Sequence, residues 1–219
     1  TGCGKSSLVQ LIPRLFDVSK GRITIDGTDI RDVSLSELRG TIGYVPQKGV
    51  LFSGTIESNI AFGSADISEE AVREAAEIAQ AAEFIDTKPE GYQESIAQGG
   101  TNVSGGQKQR LAIARALAGK PQILVFDDSF SALDYKTDRA LRRALAAGTK
   151  DATVIIVAQR ISTILHADKI LVLDDGRIVG CGTHAQLLRD NEVYRQIALS
   201  QLSEKEIEDT LAKADKEVE

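Results

Sequence analysis

The chain has 219 residues, 42% of them hydrophobic, and a net charge of −6; this is enough for a sizeable core in one domain, or in one domain with a small subdomain. The acidic balance disfavours a dedicated nucleic-acid surface, which needs clustered Lys and Arg, and Cys3 and Cys181 are too far apart in sequence to suggest a metal pair or a disulfide framework. No apolar run approaches the roughly 20 residues that cross a bilayer and no segment resembles a signal peptide, so any membrane part is expected elsewhere.

The chain opens with Thr1-Gly2-Cys3-Gly4-Lys5-Ser6-Ser7, followed by Leu8, Val9, Leu11 and Ile12 at helical spacing. Glycines let backbone N–H groups approach phosphate oxygens, and the following helix adds its dipole. Lys5 can reach the β- and γ-phosphates, and the Ser6 hydroxyl can ligate Mg²⁺. Taken alone this is also compatible with a glycine-rich turn and a surface lysine. The sequence is expected to begin inside the motif.

Ser68 to Phe84 predicts a helix, with Ser68 as its cap and Glu69 and Glu70 in the first turn. Asn102-Val103-Ser104-Gly105-Gly106-Gln107 puts a small-residue turn at the head of an amphipathic helix. It forms a second anion cradle, in which Ser104 and the following amides can take a γ-phosphate. Lys108, Arg110 and Arg115 on that helix are expected to form a solvated face. Gln122 to Phe126 predicts a strand with Asp127 and Asp128 at its carboxyl end, where open α/β sheets place ligand sites. Asp127 suits Mg²⁺ held through water, and Asp128 suits orientation of an attacking water. Val154 to Val157 and Ile170 to Leu173 also predict buried strands, and alternation with helices predicts a parallel sheet. Asp175-Gly176 signals a hairpin, and the charged tail from Ser203 to Glu219 predicts a solvated helix or frayed end.

In this order the motifs resemble the ABC ATPase family over essentially the whole chain. Thr1 to Ser7 looks like its phosphate loop, Gln47 in Tyr44-Val45-Pro46-Gln47 like its Q-loop, and Ser104 to Gln107 like its signature. Ile123 to Asp128 looks like its Walker B strand, and Ser131-Ala132-Leu133-Asp134 like its D-loop. The resemblance implies an α/β fold of the P-loop NTPase type: a mostly parallel sheet with flanking helices, a small antiparallel addition, and a helical subdomain at about 55–118 carrying the signature. The nucleotide-binding domain would cover 1–202, truncated at its N-terminus, followed by the charged tail 203–219. ATP and Mg²⁺ are the implied cofactors. The implied nucleotide contacts are Thr1, Gly2, Cys3, Gly4, Lys5, Ser6, Ser7, Gln47, Ser104, Gly105, Gly106, Gln107 and Asp134, with Ser6, Gln47 and Asp127 toward the metal and Asp128, Gln159 and Gln47 toward catalysis.

Leu51-Phe52-Ser53-Gly54-Thr55-Ile56 with Asn59-Ile60, and Gln159-Arg160-Ile161-Ser162-Thr163, look like the exporter branch. That branch implies a transmembrane domain upstream on the same polypeptide, a position on the cytoplasmic face of the membrane, and head-to-tail closure of two nucleotide-binding domains on ATP, with no nucleic acid. The alternatives are a soluble ABC-type ATPase of DNA repair, chromosome organisation or translation, for which the spacing between Gln47 and Ser104 leaves no coiled-coil insertion, and a non-catalytic nucleotide sensor.

Asp128 and Gln159 depart from the family. Its active sites carry glutamate at the first position, so Asp128 pulls the carboxylate back by about 1.5 Å, one C–C bond. They carry histidine at the second, and glutamine can donate a hydrogen bond but cannot take up charge. The pair recurs in subunits of asymmetric heterodimeric exporters, implying a slow site in this chain and a signature that completes the partner's site. Val103 stands for the usual leucine, and Ala97-Gln98-Gly99-Gly100 for the usual Gly-Glu-Arg-Gly facing the membrane domain.

Overall fold

The computed structural model describes residues 2–63 and 66–216, divided between a unit of Val9–Val157 and a unit joining Thr1–Leu8 to Ala158–Glu219. After the glycine-rich opening comes helix α1 (Lys5–Gln10). A tight hairpin follows, β1 (Thr24–Ile25) against β2 (Thr28–Asp29), whose Asp26 and Gly27 have φ of 49° and 83°, the left-handed pair that a two-residue turn between twisted strands requires. Helix α2 (Leu35–Gly40) starts at Ser34, whose hydroxyl accepts from Glu37 N–H while Glu37 reaches back, and it leads into β3 (Ile42–Val45).

Next come β4 (Gly54–Thr55) and the helices α3 (Ile56–Ile60), α4 (Glu69–Ile78) and α5 (Ala82–Asp86). β5 (Ser95–Ile96), antiparallel to β4, precedes α6 (Gly105–Ala118). β6 (Ile123–Asp127), α7 (Tyr135–Gly148) and β7 (Thr153–Val157) complete this unit. β3, β6 and β7 form a parallel sheet with β6 in the centre. On β6, Leu124 and Phe126 pack into one core with Leu111 and Ile113 of α6, and Val125 packs into another with Ile30, Leu38 and Ile42. Apolar side chains on both faces are what a central parallel strand demands.

The unit that includes Ala158–Glu219 contains α8 (Ile161–Ile164), the hairpin β8 (Ile170–Asp174) with β9 (Arg177–Gly182), and helices α9 (His184–Asp190), α10 (Glu192–Leu199) and α11 (Glu204–Lys216). Asp175 and Gly176 make the expected turn, with φ of 44° and 71°. No helix of the described residues is long and apolar enough to cross a membrane.

Four local expectations are corrected. Ser68 caps α4 by accepting from Ala71 N–H at 3.2 Å, but the helix does not run to Phe84. Gln80 takes a left-handed φ of 57°, and Arg110 of α6 donates to the Gln80 carbonyl at 2.7 Å, so a tertiary bond fixes a break that no Gly or Pro announces. Arg110 and Arg115 are not a solvated face. Arg110 lies 4.8 Å over the Phe84 ring, while Arg115 donates to Asn59 O (2.7 Å), Val50 O (2.8 Å) and Asn59 Oδ1 (2.9 Å). Burial pulls both guanidinium pKa values below their usual range. Lys108 is partly buried. The run Ile170 to Leu173 pairs antiparallel with β9, as the hairpin signal at Asp175-Gly176 predicts, but it is only half-buried, with Leu171 47% exposed. The tail helix α11 is not solvated all round, because Ile207 and Leu211 pack into the core of α9 and α10.

Candidate functional site

In the glycine-rich opening, Gly2 and Gly4 take φ of 87° and 89°, a left-handed backbone in which a Cβ is strained. The turn delivers Lys5 as the first residue of α1, and Leu8 N–H bonds Gly4 O at 2.9 Å. The amides at this helix start therefore come before the first α-helical bond and can take an anion with the dipole behind them. The Lys5 ammonium rests 3.3 Å from the Cys3 sulfur, and Ser6 and Ser7 are exposed. Thr1 lies outside the described residues. In the same unit Gln159 is exposed, with its carbonyl accepting from Gln201 Nε2 at 2.9 Å. The Gln201 amide oxygen accepts from Ile161 N–H at 2.8 Å, so one side chain of the segment after α10 spans the turn carrying Gln159.

The carboxylates sit at the end of β6, as its sequence requires. Asp127 is 3% and Asp128 8% exposed. Strand register sets Tyr44 opposite Val125, and the Tyr44 hydroxyl donates to Asp127 Oδ2 at 3.1 Å. Burial, together with the Asp127 charge, pushes the Tyr44 phenol up to about 12, which keeps that proton in place. The Gln47 amide nitrogen donates to Asp128 Oδ2 at 3.0 Å. Asp128 itself has a left-handed φ of 51°, its N–H bonds Val157 O at 3.1 Å, and its carbonyl accepts from the Ser131 hydroxyl at 2.9 Å. Together the Gln47 amide and Asp127 offer hard oxygen donors at this strand end. That donor chemistry suits Mg²⁺ and not a soft metal.

The signature turn is built differently. Ser104 is the N-cap of α6: its hydroxyl accepts from Gln107 N–H at 3.2 Å and its N–H donates to Gln107 Oε1 at 2.9 Å, a complete capping box. Ser104 and Gly105 are exposed, and Gly106 and Gln107 partly buried. A Cβ on Gly105 would meet nothing within 4 Å. Asp134 caps α7, accepting from Thr137 N–H (3.0 Å) and the Thr137 hydroxyl (2.7 Å), and these bonds hold its carboxyl below the usual range. Before the signature, Gln98–Gly100 is a single tight turn with Gly99 and Gly100 at φ of 66° and 65°.

The structure thus gathers Gln47, Asp127 and Asp128 at one strand end. Beside them it adds Tyr44, Ser129 and Gln109, while in the other unit Gln201 braces the turn of Gln159; the sequence alone assigns none of the four a role. Gln109 had a signal: it lies three and four residues before the buried Ala112 and Ile113, on the core face of α6.

The family model described as ABC transporter matches residues 1–131. An ATP-dependent lipid A-core flippase of Methylococcus capsulatus is 44% identical over 213 residues, covering 97% of the chain and 35% of that protein. An uncharacterized ABC transporter ATP-binding protein of Mycobacterium tuberculosis is 48% identical over 204 residues, covering 92% of the chain and 35% of that protein. A solved structure of a bacterial Atm1-family ABC exporter with ATP bound superposes with a TM-score of 0.88 at 43% identity, over 93% of the chain and 36% of that chain. The chain therefore spans about a third of the length of these relatives, 35% in both curated cases.

Proposed function

Because the chain belongs to the ABC transporter family, we propose that it is the ATP-hydrolysing cassette of an exporter, working on the cytoplasmic face of a membrane with a transmembrane domain on the same polypeptide and a second nucleotide-binding domain. Lys5, Ser6, Ser7 and the amides of Gly2, Cys3 and Gly4 bind the phosphates of ATP, and Thr1 belongs to the same loop. Ser6, Gln47 and Asp127 hold Mg²⁺, which when bound neutralises charge on the β- and γ-phosphate oxygens. Tyr44 keeps Asp127 oriented. Asp128 orients the attacking water, and Gln159 donates to the γ-phosphate. Ser104, Gly105, Gly106 and Gln107 present their turn to a nucleotide on the partner, alongside Asp134.

We further propose that this chain's own site is the slow member of an asymmetric pair. The observation that supports this reading is the state of Asp128. It is one methylene shorter than the family's glutamate, nearly buried, and tied by its carboxylate to Gln47 at 3.0 Å. Misplacement of a catalytic group by about 1 Å costs roughly 100-fold in rate. The soluble nucleic-acid alternative loses support, since Arg110 and Arg115 are spent on carbonyls and aromatic rings.

The test uses the full-length transporter. Lys5→Ala is expected to leave most steady-state ATPase activity intact, whereas Ser104→Ala removes it. The opposite pattern rejects the division of labour, and equal losses make this an ordinary symmetric cassette.

A further inference from the structure

Gln109 is a polar side chain on the core face of α6, only 1% exposed. Its amide nitrogen donates to Pro46 O at 3.2 Å, and its amide oxygen accepts from Gly49 N–H at 2.9 Å. Those two backbone groups flank Gln47 on either side. Gly49 lies so close to α6 that a Cβ would sit 2.8 Å from Lys108 O, which leaves no room for a side chain. From the opposite direction Ser129, the residue after Asp128, donates its buried hydroxyl to Val45 O at 2.9 Å. The segment carrying Gln47 is therefore held by the signature helix on one side and by the end of β6 on the other. From that mount the Gln47 amide reaches Asp128 at 3.0 Å.

A buried amide satisfied through both its oxygen and its nitrogen specifies a geometry, because either group left unpaired would carry its full desolvation penalty. An apolar residue of similar length would fill the same space without that specification. We propose that Gln109 is a positioning residue: it sets Gln47 against Asp128, and so ties the state of the signature helix to the metal- and water-handling groups of this chain's own ATP site. Ser104 and Gln109 lie on the same helix and its cap, so ordering of the signature turn by a partner-bound phosphate is felt at Gln47 through one rigid element. This inference rests on the roles given above to Gln47 and Asp128.

The experiment uses the full-length transporter with the partner's own phosphate loop disabled, and compares Gln109→Met, Gln47→Ala and the double variant. The readouts are the Mg²⁺ concentration needed for tight binding of a fluorescent ATP analogue, the affinity for that analogue without Mg²⁺, and the single-turnover hydrolysis rate. Gln109→Met is expected to raise the Mg²⁺ requirement and lower the rate by roughly 10-fold each, leave Mg²⁺-free binding unchanged, and add nothing to Gln47→Ala. In its neutral form Gln109→Glu keeps the length, the oxygen that accepts from Gly49 and an O–H that can donate to Pro46 O, so below the pH at which that carboxyl ionises it should fall between Gln109→Met and wild type; measured there, it replaces Gln109→Met in the cycle if that variant fails to fold. Effects that multiply in the double variant, or a lower melting temperature with an unchanged Mg²⁺ requirement, overturn the proposal and make Gln109 a space-filler. If Gln47→Ala alone leaves the Mg²⁺ requirement unchanged, the role given to Gln47 falls and the inference falls with it; if Gln47→Ala acts and Gln109→Met does not, the inference alone fails.

Discussion

At the carboxyl end of β6, Asp127 and Asp128 are 3% and 8% exposed, and each accepts from a side chain of β3 or the segment after it. At the amino end of α6, Ser104 and Gly105 are exposed, and the cap closes on itself within one turn. The first region is finished by distant parts of its own chain; the second needs only its neighbours and leaves its outer surface uncommitted. The carboxylates are thus a property of the folded unit, while the signature turn is a local structure with an exposed outer surface.

The comparison breaks most sharply at Gly105. An aspartate there sits in open space at a helix start, where negative charge is favourable by about 0.3–1 kcal/mol, so Gly105→Asp should hold or raise the melting temperature. A carboxylate facing a phosphate should nevertheless remove transporter ATPase activity by roughly 100-fold or more, the scale of losing one preorganised donor. A variant that lost stability and activity together would show that the turn is structural. Next in size, Asp128→Glu should speed single-turnover hydrolysis at this chain's own site by up to about 100-fold, if reach is what limits it. An unchanged rate would move the limitation to Gln159.

Arg115→Ala strips guanidinium bonds from Asn59 and Val50. It should cost about 2 kcal/mol in denaturant unfolding, within the 1.5–3 kcal/mol range of hydrogen bonds to charged groups. The signature turn is expected to keep its capping box, since that box is local. The smallest effect belongs to Tyr44→Phe, which deletes one donor to the buried Asp127 carboxylate and, as a single bond to a charged group, should cost about 1.5 kcal/mol. In the wild type, the raised Tyr44 pKa gives stability that is complete below the unfolded value of 10.0 and lost as pH climbs to about 12. An alkaline unfolding titration of wild type against Tyr44→Phe reads this difference directly.

What could be read from residues was whatever is written in neighbours. The capped start of α4, the strand ending in Asp127, the Asp175-Gly176 turn and the head of α6 all depend on spacing within a few positions. The break at Gln80 was hidden because its cause is 30 residues away, on Arg110. Arg110 and Arg115 were misjudged for the same reason: their charge suggested solvent, but their partners are carbonyls and rings brought in by packing. The Tyr44–Asp127 bond depends on strand register, which no local pattern states, whereas Gln109 was hidden in plain view by its position on an apolar face.

The left-handed backbone at Asp128, φ of 51°, bears on how such a site changes over generations. Aspartate is several-fold enriched in that region among non-glycine residues, because its short side chain can hydrogen-bond locally. Replacing a glutamate by aspartate here eases the main chain, while the return step reimposes strain. Mutation at this position therefore has a preferred direction on backbone grounds alone: aspartate is favoured by foldability, and glutamate is kept only where selection on the side chain outweighs that strain.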